Sequence, residues 1–397
     1  MTDNLGMSQV LPYLKGLSSL GYTITLVSFE KQNNYSRKAE FVKKYIGESP
    51  ISWQPLIYHK FPPVLSTLYD VSVLKKTVRK ILLNNKIDII HCRSYITSLV
   101  GLMFKMNPKY KIFFVFDMRG LWVDERVDGG LWNLKNPLYK TIYNYFKKKE
   151  RAFLSNSDAV VSLTHKAKEE ILSWNLTQVS DNKIKVIPCC VDLELFNPES
   201  AEKNGNPAGI VKGKDFIVSY LGSIGTWYML EEMLDFFACL KDQIPNAKFL
   251  VLTPDTHIDI SEKLKERSIN RDDFIMISAN RNEVPSLLAL SDLALYFIKP
   301  LYSKISSSPT KLAEIMGLGI PIITNRGIGD TEEIFEKYNA GLFVNDFTKE
   351  AYKDSIKEFS KRDWNKKEIM NGAQDYFSLK KGVDLYNTIY KEVLNEK

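Results

Sequence analysis

The stretch S-S-S-P-T-K-L-A-E-I-M-G-L-G-I-P-I-I-T-N-R-G-I-G-D, Ser306 to Asp330, decides how the chain is read. Ser308 is a good N-cap, since its hydroxyl can accept from an orphan backbone N–H one turn on. Pro309 suits the first helical position, where its fixed φ helps and its missing N–H costs nothing. Leu312, Ile315 and Met316 recur at helical spacing and predict an inward face, with Glu314 on roughly the opposite side. Gly317 and Gly319 supply the stop. Ile320 to Thr324 reads as a buried strand ending in a glycine-containing turn. Lys311 is the odd residue. A cation in the first turn opposes the helix macrodipole by about 0.3–1 kcal/mol, and an anion bound there would reverse the sign. A lysine bent into solvent and a solvated Glu314 are the plain alternatives.

The chain has 397 residues and 44% apolar content, enough for two domains with sizeable cores. The longest apolar runs, such as Ile112 to Phe116, fall far below the roughly 18 residues that cross a bilayer. No signal-peptide pattern opens the sequence. Cys92, Cys189, Cys190 and Cys239 match no paired zinc spacing and are too sparse for a disulfide scaffold, which makes the cytosol the expected compartment. Charge is uneven. Residues 1–200 carry 28 Lys+Arg against 18 Asp+Glu, and the remainder 26 against 29. A basic first half suits an anionic partner. No nucleic-acid motif accompanies it, so an anionic membrane surface is favoured over nucleic acid. The Tyr139 to Lys149 segment, aromatic and lysine-rich, is the expected contact, against a core-facing helix with a solvated basic end.

In chain order, Met1 to Gly6 reads as a loop and Ser8 to Leu20 as an amphipathic helix capped by Gly21. Strands follow at Thr23–Phe29, Ile51–Pro55, Ile87–His91 and Lys111–Phe116, with helices at Arg37–Ile46, Val71–Asn84 and Tyr95–Lys105 between them. This alternation predicts a parallel sheet covered on both faces. Polar residues cluster where those strands end: His91 and Arg93, then Asp117 and Arg119, then Asp124. Ligands bind at such strand ends, and harmless mutual pairing is the alternative. A helix over Leu134–Phe153 and a strand over Ala159–Leu163 complete the series. Pro198 to Gly213, rich in Asn, Gly, Lys and Pro, reads as a linker. A second α/β series begins at Phe216–Leu221, followed by G-S-I-G-T (Gly222 to Thr226) opening a helix at Tyr228. Glycines at such a turn let backbone N–H groups approach a phosphate, or merely permit helix entry. A last helix spans Asp375–Leu394.

The Pro309–Pro321 block and K-I-K-V-I-P-C-C-V-D-L-E-L-F-N-P (183–198) resemble retaining family 4 glycosyltransferases, and the likeness runs collinearly along nearly the whole chain. The resemblance implies an α/β GT-B fold, two Rossmann-like domains facing across a cleft. One would span 1–198, with the helix at 375–397 crossing back onto it, and the other, binding the nucleotide sugar, would span 214–374. It implies transfer of a hexosyl group from a nucleotide diphosphate sugar to a glycan or lipid-linked acceptor, with retention and no metal or other cofactor. It would take place in the cytoplasm or on the inner membrane face, in cell-surface polysaccharide or glycolipid assembly. No Asp-x-Asp motif is present. Asp117, Arg119 and Lys311 would be catalytic. Gly6, Gly222, Ser223, Gly225, Thr226, Arg281, Ser307, Ser308, Thr310, Lys311 and Glu314 would hold the donor, Glu314 gripping the ribose. His91, Arg93 and Asp124 would face the acceptor. The sequence departs from the family pattern in four places, one of them Cys190, where a glycine is usual. Ser306 stands where the first of two glutamates is usual, Ser223 where an arginine is, and Trp227-Tyr228 where a lysine is. Lys311 is then the best-placed cation for the phosphates, with Lys299 and Arg326 behind it. A silent glycosyltransferase-like subunit and a two-domain solute-binding protein are the other classes open. A first strand is expected ahead of Asp3–Gly6, because parallel sheets of this kind place it centrally.

Overall fold

The computed structural model describes residues 1–203 and 213–395. The chain divides into two compact units, Met1–Pro188 with Leu379–Lys397, and Cys189–Ser378. Within the expected linker, Pro198–Lys203 is a short helix, while residues 204–212 lie outside the described residues.

The first unit opens with two helices, Asn4–Gln9 and Leu11–Ser19, where the sequence suggested a loop and one helix. The break at Val10 has a local cause: Pro12 brings no N–H to continue the first helix. Asp3 caps that helix by accepting from the Gly6 amide at 2.6 Å. Strands β1 (Ile24–Glu30) and β2 (Ile51–Ile57) pair in parallel, Ile24 opposite Ile51. The expected single sheet is divided, because β3 (Ile89–Arg93), β4 (Phe113–Asp117), β5 (Ala159–Ser162) and β6 (Ile184–Val186) form a separate parallel sheet in that order. β1 and β3 are joined by side chains instead of a ladder. Val27 and Phe29 share an apolar cluster with Leu74, Val100 and Phe104, which Ile90 also joins. The helix after β2 spans Leu65–Asn84, starting well before the expected Val71. The final helix is Leu379–Asn395, separated by a break from Lys366–Tyr376. It buries Val383, Tyr386, Ile389, Tyr390 and Val393 at helical spacing. Tyr386 packs edge-on against Tyr13 of the second helix.

The second unit is one six-stranded parallel sheet. Its strands are β7 (Phe216–Leu221), β8 (Ala247–Leu252), β9 (Phe274–Ile277), β10 (Leu293–Leu295), β11 (Ile322–Asn325) and β12 (Gly341–Val344). The order is β12-β11-β10-β7-β8-β9. Strands buried on both faces explain the near-continuous apolar runs in this half. The chain leaves β7 to one side for β8 and returns to its other side at β10. Ligands bind at the carboxyl ends of strands at such a reversal. The helix Thr310–Gly317, between β10 and β11, ends at a position without room for a side chain. A Cβ on Gly317 would lie 2.6 Å from the backbone oxygen of Phe196. Gly317→Ala should therefore lower stability by about 1–3 kcal/mol, read as a fall in the urea midpoint. An unchanged midpoint would show that the helix end can move.

Candidate functional site

Two polar centres stand at strand ends, one in each unit. In the second unit, β7 runs into a loop in which Gly222, Gly225 and Thr226 take positive φ values of 141°, 97° and 50°. The loop continues to Met229, and the helix begins at Leu230, later than the expected Tyr228. Gly222 donates to Leu252 at 2.9 Å and Ile224 to the Asp255 carboxylate at 2.8 Å. Those bonds fix the loop and take two of its amides, Gly222's among them, away from any anion. Tyr220 holds the loop from below, its hydroxyl donating to the Ser223 carbonyl at 2.6 Å.

Lys311 meets this loop. It does not bend into solvent: only 5% of it is exposed. A Cβ at Gly222 would stand 2.6 Å from the Lys311 Nζ, so glycine is needed for room as well as for its φ. The ammonium lies 3.5 Å from the ring centre of Tyr228, 4.4 Å from that of Tyr220 and 5.6 Å from that of Tyr296. It also donates to the Tyr220 hydroxyl at 3.4 Å. Among the described residues no carboxylate comes within ion-pair reach of it. Burial pushes its pKa well below the usual lysine range, against the pull of the Glu314 charge. The three ring faces supply favourable charge of their own.

The start of the helix is open. Pro309 occupies the N-cap position and no side chain caps the first turn. The expected cap, Ser308, instead accepts from the Cys189 amide at 3.1 Å. The Ser307 amide donates to the Lys304 carbonyl. Thr310 begins the helix, so its amide is one of the orphan donors of the first turn. Glu314 is buried rather than solvated, and Arg281 donates to it at 3.0 Å, so the structure brings these two together. Burial raises the Glu314 pKa despite Arg281 and Lys311. Ser306, buried, donates to the Ser303 carbonyl. Of the reserve cations, Arg326 lies over the Phe343 ring, while Lys299 joins the loop through its backbone bond to Trp227.

In the first unit, Asp117 ends β4 and is buried. Tyr386 donates to its Oδ2 at 3.1 Å, and His91 Nε2 lies 3.6 Å away. The other His91 nitrogen is 2.6 Å from the Tyr390 hydroxyl. Arg119, at φ 56°, holds its Nε 4.0 Å from Asp117 Oδ1, an atom with no hydrogen-bond partner among the described residues. Burial alone would raise the Asp117 pKa. The charges of Arg119, His91 and Arg93 overcome it and hold it at about 2. Arg93 also donates to the Gln9 carbonyl at 2.5 Å. Asp124 stands apart from this group: its oxygens accept from Tyr143 and Lys147, each at 2.9 Å. Gly6 sits inside the first helix with its amide on Asp3, so the segment read as a loop is a capped helix start. Among the described residues, no group of three or more His, Cys, Asp or Glu side chains could hold a metal ion.

With this geometry in hand, two family models match the chain in tandem: Glycosyltransferase Family 4 over residues 9–195 and Glycosyl transferases group 1 over 203–374. The chain belongs to the family 4, group 1 glycosyltransferases. No curated protein matches it by sequence. Among solved structures it is similar to a glycosyltransferase from Rickettsia africae, 16% identical with a TM-score of 0.67, over 99% of this chain and 97% of that one. Anabaena HepE in complex with UDP is 13% identical, TM-score 0.66, over 96% of each. UDP-GlcNAc 2-epimerase from Neisseria meningitidis, bound to UDP-GlcNAc, is 12% identical, TM-score 0.60, over 97% of this chain and 96% of that one. At these identities the likeness is one of fold, the GT-B class of two Rossmann-like units.

In this glycosyltransferase the sequence did not reveal Tyr220, Tyr296 or Asp255 as parts of the loop site. Tyr228 stood out only as a departure from the family lysine, and the structure gives the reason: its ring faces the lysine that arrives from position 311. The tyrosines behind Asp117 and His91 come from the far end of the chain, where only their helical spacing was visible.

Two expectations follow. Lys311→Met keeps the volume and removes an unpaired buried charge, so the nucleotide-free protein should gain about 1–4 kcal/mol, seen as a higher melting temperature. A lower melting temperature would mean the ammonium is already satisfied. Asp117 has a depressed folded pKa, so its stabilisation is complete above the unfolded carboxylate value of about 4 and is lost as pH falls toward 2. Asp117→Asn should cost about 2–3 kcal/mol at neutral pH. The gap from wild type, measured by urea titration, should shrink steadily below about pH 4. A gap independent of pH would contradict this.

Proposed function

We propose that this glycosyltransferase moves a hexosyl group from a nucleoside diphosphate sugar to an acceptor hydroxyl, with retention at the anomeric carbon. One observation carries the reading: a buried ammonium without a carboxylate stands beside a glycine loop and an uncapped helix start. A diphosphate there would neutralise Lys311 and satisfy orphan N–H groups of the Thr310 turn. Charge grows on the leaving diphosphate as the glycosidic bond breaks, and preorganised donors stabilise that charge without reorganising. Glu314, oriented by Arg281, would grip the ribose hydroxyls. In the first unit, Asp117 and Arg119 would lie toward the reacting sugar, with His91 and Arg93 toward the acceptor. The UDP held by Anabaena HepE supports a nucleotide in this fold class. The basic first half fits an acceptor that is a lipid-linked glycan at an anionic membrane face, in surface polysaccharide or glycolipid assembly.

Incubation with a panel of nucleoside diphosphate sugars tests this through slow donor hydrolysis. One donor should be consumed, giving the sugar in its original anomeric form. Lys311→Ala removes a charge-assisted contact of about 1.5–3 kcal/mol and should slow consumption roughly 10- to 100-fold. Glu314→Gln should weaken free nucleoside diphosphate and full donor alike. It should also cost some stability, since Arg281 loses its ionic partner. Nucleotide binding without turnover, across donors and acceptors, would instead indicate a silent subunit.

A further inference from the structure

The lysine-rich helix Pro137–Asn156 engages part of its basic end internally. Lys147 turns inward, to Asp124 at 2.9 Å and Glu150 at 2.6 Å, with its ammonium 4.9 Å from the Trp174 ring centre. The same helix exposes Leu138 and Tyr145, but a denser run of exposed apolar side chains lies earlier in the chain. Phe61 is 71% exposed, Leu65 63%, Leu68 61% and Tyr69 57%, with Val64 exposed beside them. Single exposed hydrophobics are ordinary, but a run of this density along one turn and helix start marks an interaction surface.

The helix Leu65–Asn84 gives the run a direction. Leu65, Leu68, Ser72, Lys76 and Arg79 follow at steps of three and four, with Tyr69 beside Leu68, and all are exposed. The opposite face carries Leu74 and Val78 into the cluster with Val100 and Phe104. The outer stripe is thus apolar in its first two turns and basic afterwards, with Lys75 and Lys80 flanking it. From Ile57 to Lys86 the only carboxylate is Asp70, and it is buried. The His59 backbone donates to it at 3.0 Å, and the His59 ring nitrogen lies 2.6 Å away. No exposed acidic side chain in this segment offsets the lysines and arginines.

We infer that residues 58–80 form the docking surface of this protein for an anionic lipid bilayer, with Phe61, Leu65, Leu68 and Tyr69 entering the acyl boundary and Lys75, Lys76, Arg79 and Lys80 lying against the headgroups. This rests on the reading of the acceptor as membrane-borne. An apolar stripe bordered by basic residues is how a helix lies in an interface. A second copy of the same surface would set lysine against lysine, which is why a bilayer is the favoured occupant. Among the described residues no helix is long and apolar enough to cross a membrane, so the contact would be peripheral.

The test is co-sedimentation with vesicles of phosphatidylcholine alone and with vesicles containing about a third phosphatidylglycerol. Wild type should partition onto the anionic vesicles and be released by salt. Leu65→Ser with Leu68→Ser should lower partition about 10- to 100-fold. Lys76→Glu with Arg79→Glu should lower it about tenfold or more at low salt. The replaced side chains are exposed, so melting temperatures should stay close to that of wild type. Equal partition onto both vesicles, or variants that partition like wild type, would overturn the assignment. So would self-association that the apolar variant abolishes in a protein that ignores vesicles. Calorimetry with UDP in the absence of lipid separates the two readings. The vesicle variants should bind the nucleotide like wild type, so loss of docking would leave the donor site standing.

Discussion

A lysine ammonium buried beside a glycine is the constraint on which the strand-end site of the second unit depends. Burying an unpaired cation is costly, and the usual remedy is a carboxylate. Here the remedy is three tyrosine rings and one tyrosine hydroxyl. The arrangement requires that Gly222 have no side chain and that β7 and β10 be neighbours, so that Tyr220 and Tyr296 reach the same point. It also leaves the first turn of Thr310–Gly317 uncapped, because the Ser308 hydroxyl is used elsewhere. The result is a positive centre at the carboxyl edge of the sheet, whose own protein groups satisfy it only in part.

The first unit handles charge in the opposite way. Asp117 is surrounded by Arg119, His91 and Arg93, and its nearest hydrogen-bond donor is a tyrosine of the last helix. Asp124, Lys147, Glu150 and Tyr95 form a second closed group, in which Glu150 pairs with the Lys147 charge and accepts from Tyr95. These charges pair among themselves. The contrast between the two units is one of pairing and not of exposure. Asp117 and Lys311 are both buried, yet only Lys311 lacks an opposite charge in reach.

The fold was legible because parallel sheets write themselves as apolar runs alternating with helical periodicity, as Phe113–Asp117 and Phe216–Leu221 do. Boundaries were less so. The helix beginning at Leu65 was read as starting at Val71, because its first turns expose leucine and tyrosine where a solvated face would be polar. At the chain start the resemblance of D-N-L-G-M-S-Q to a glycine-containing family loop hides a helix, in which Gly6 is buried against Met1. At the site, Lys311, Glu314 and the Gly222 loop were visible as a local pattern. The contacts that give them meaning were not. Glu314 meets Arg281 and Lys311 meets Tyr220 across separations of 33 and 91 residues, and no local spacing encodes such pairs.

Lys311, buried with no carboxylate in ion-pair reach among the described residues, is the group that a bound diphosphate would neutralise. The most direct measurement is calorimetry on wild type and Lys311→Met with UDP, GDP and ADP in turn. Wild type should bind at least one of them, and Lys311→Met should lose most of that affinity while melting at a higher temperature without nucleotide. Equal affinity in the two proteins, or a lower melting temperature for Lys311→Met, would contradict this.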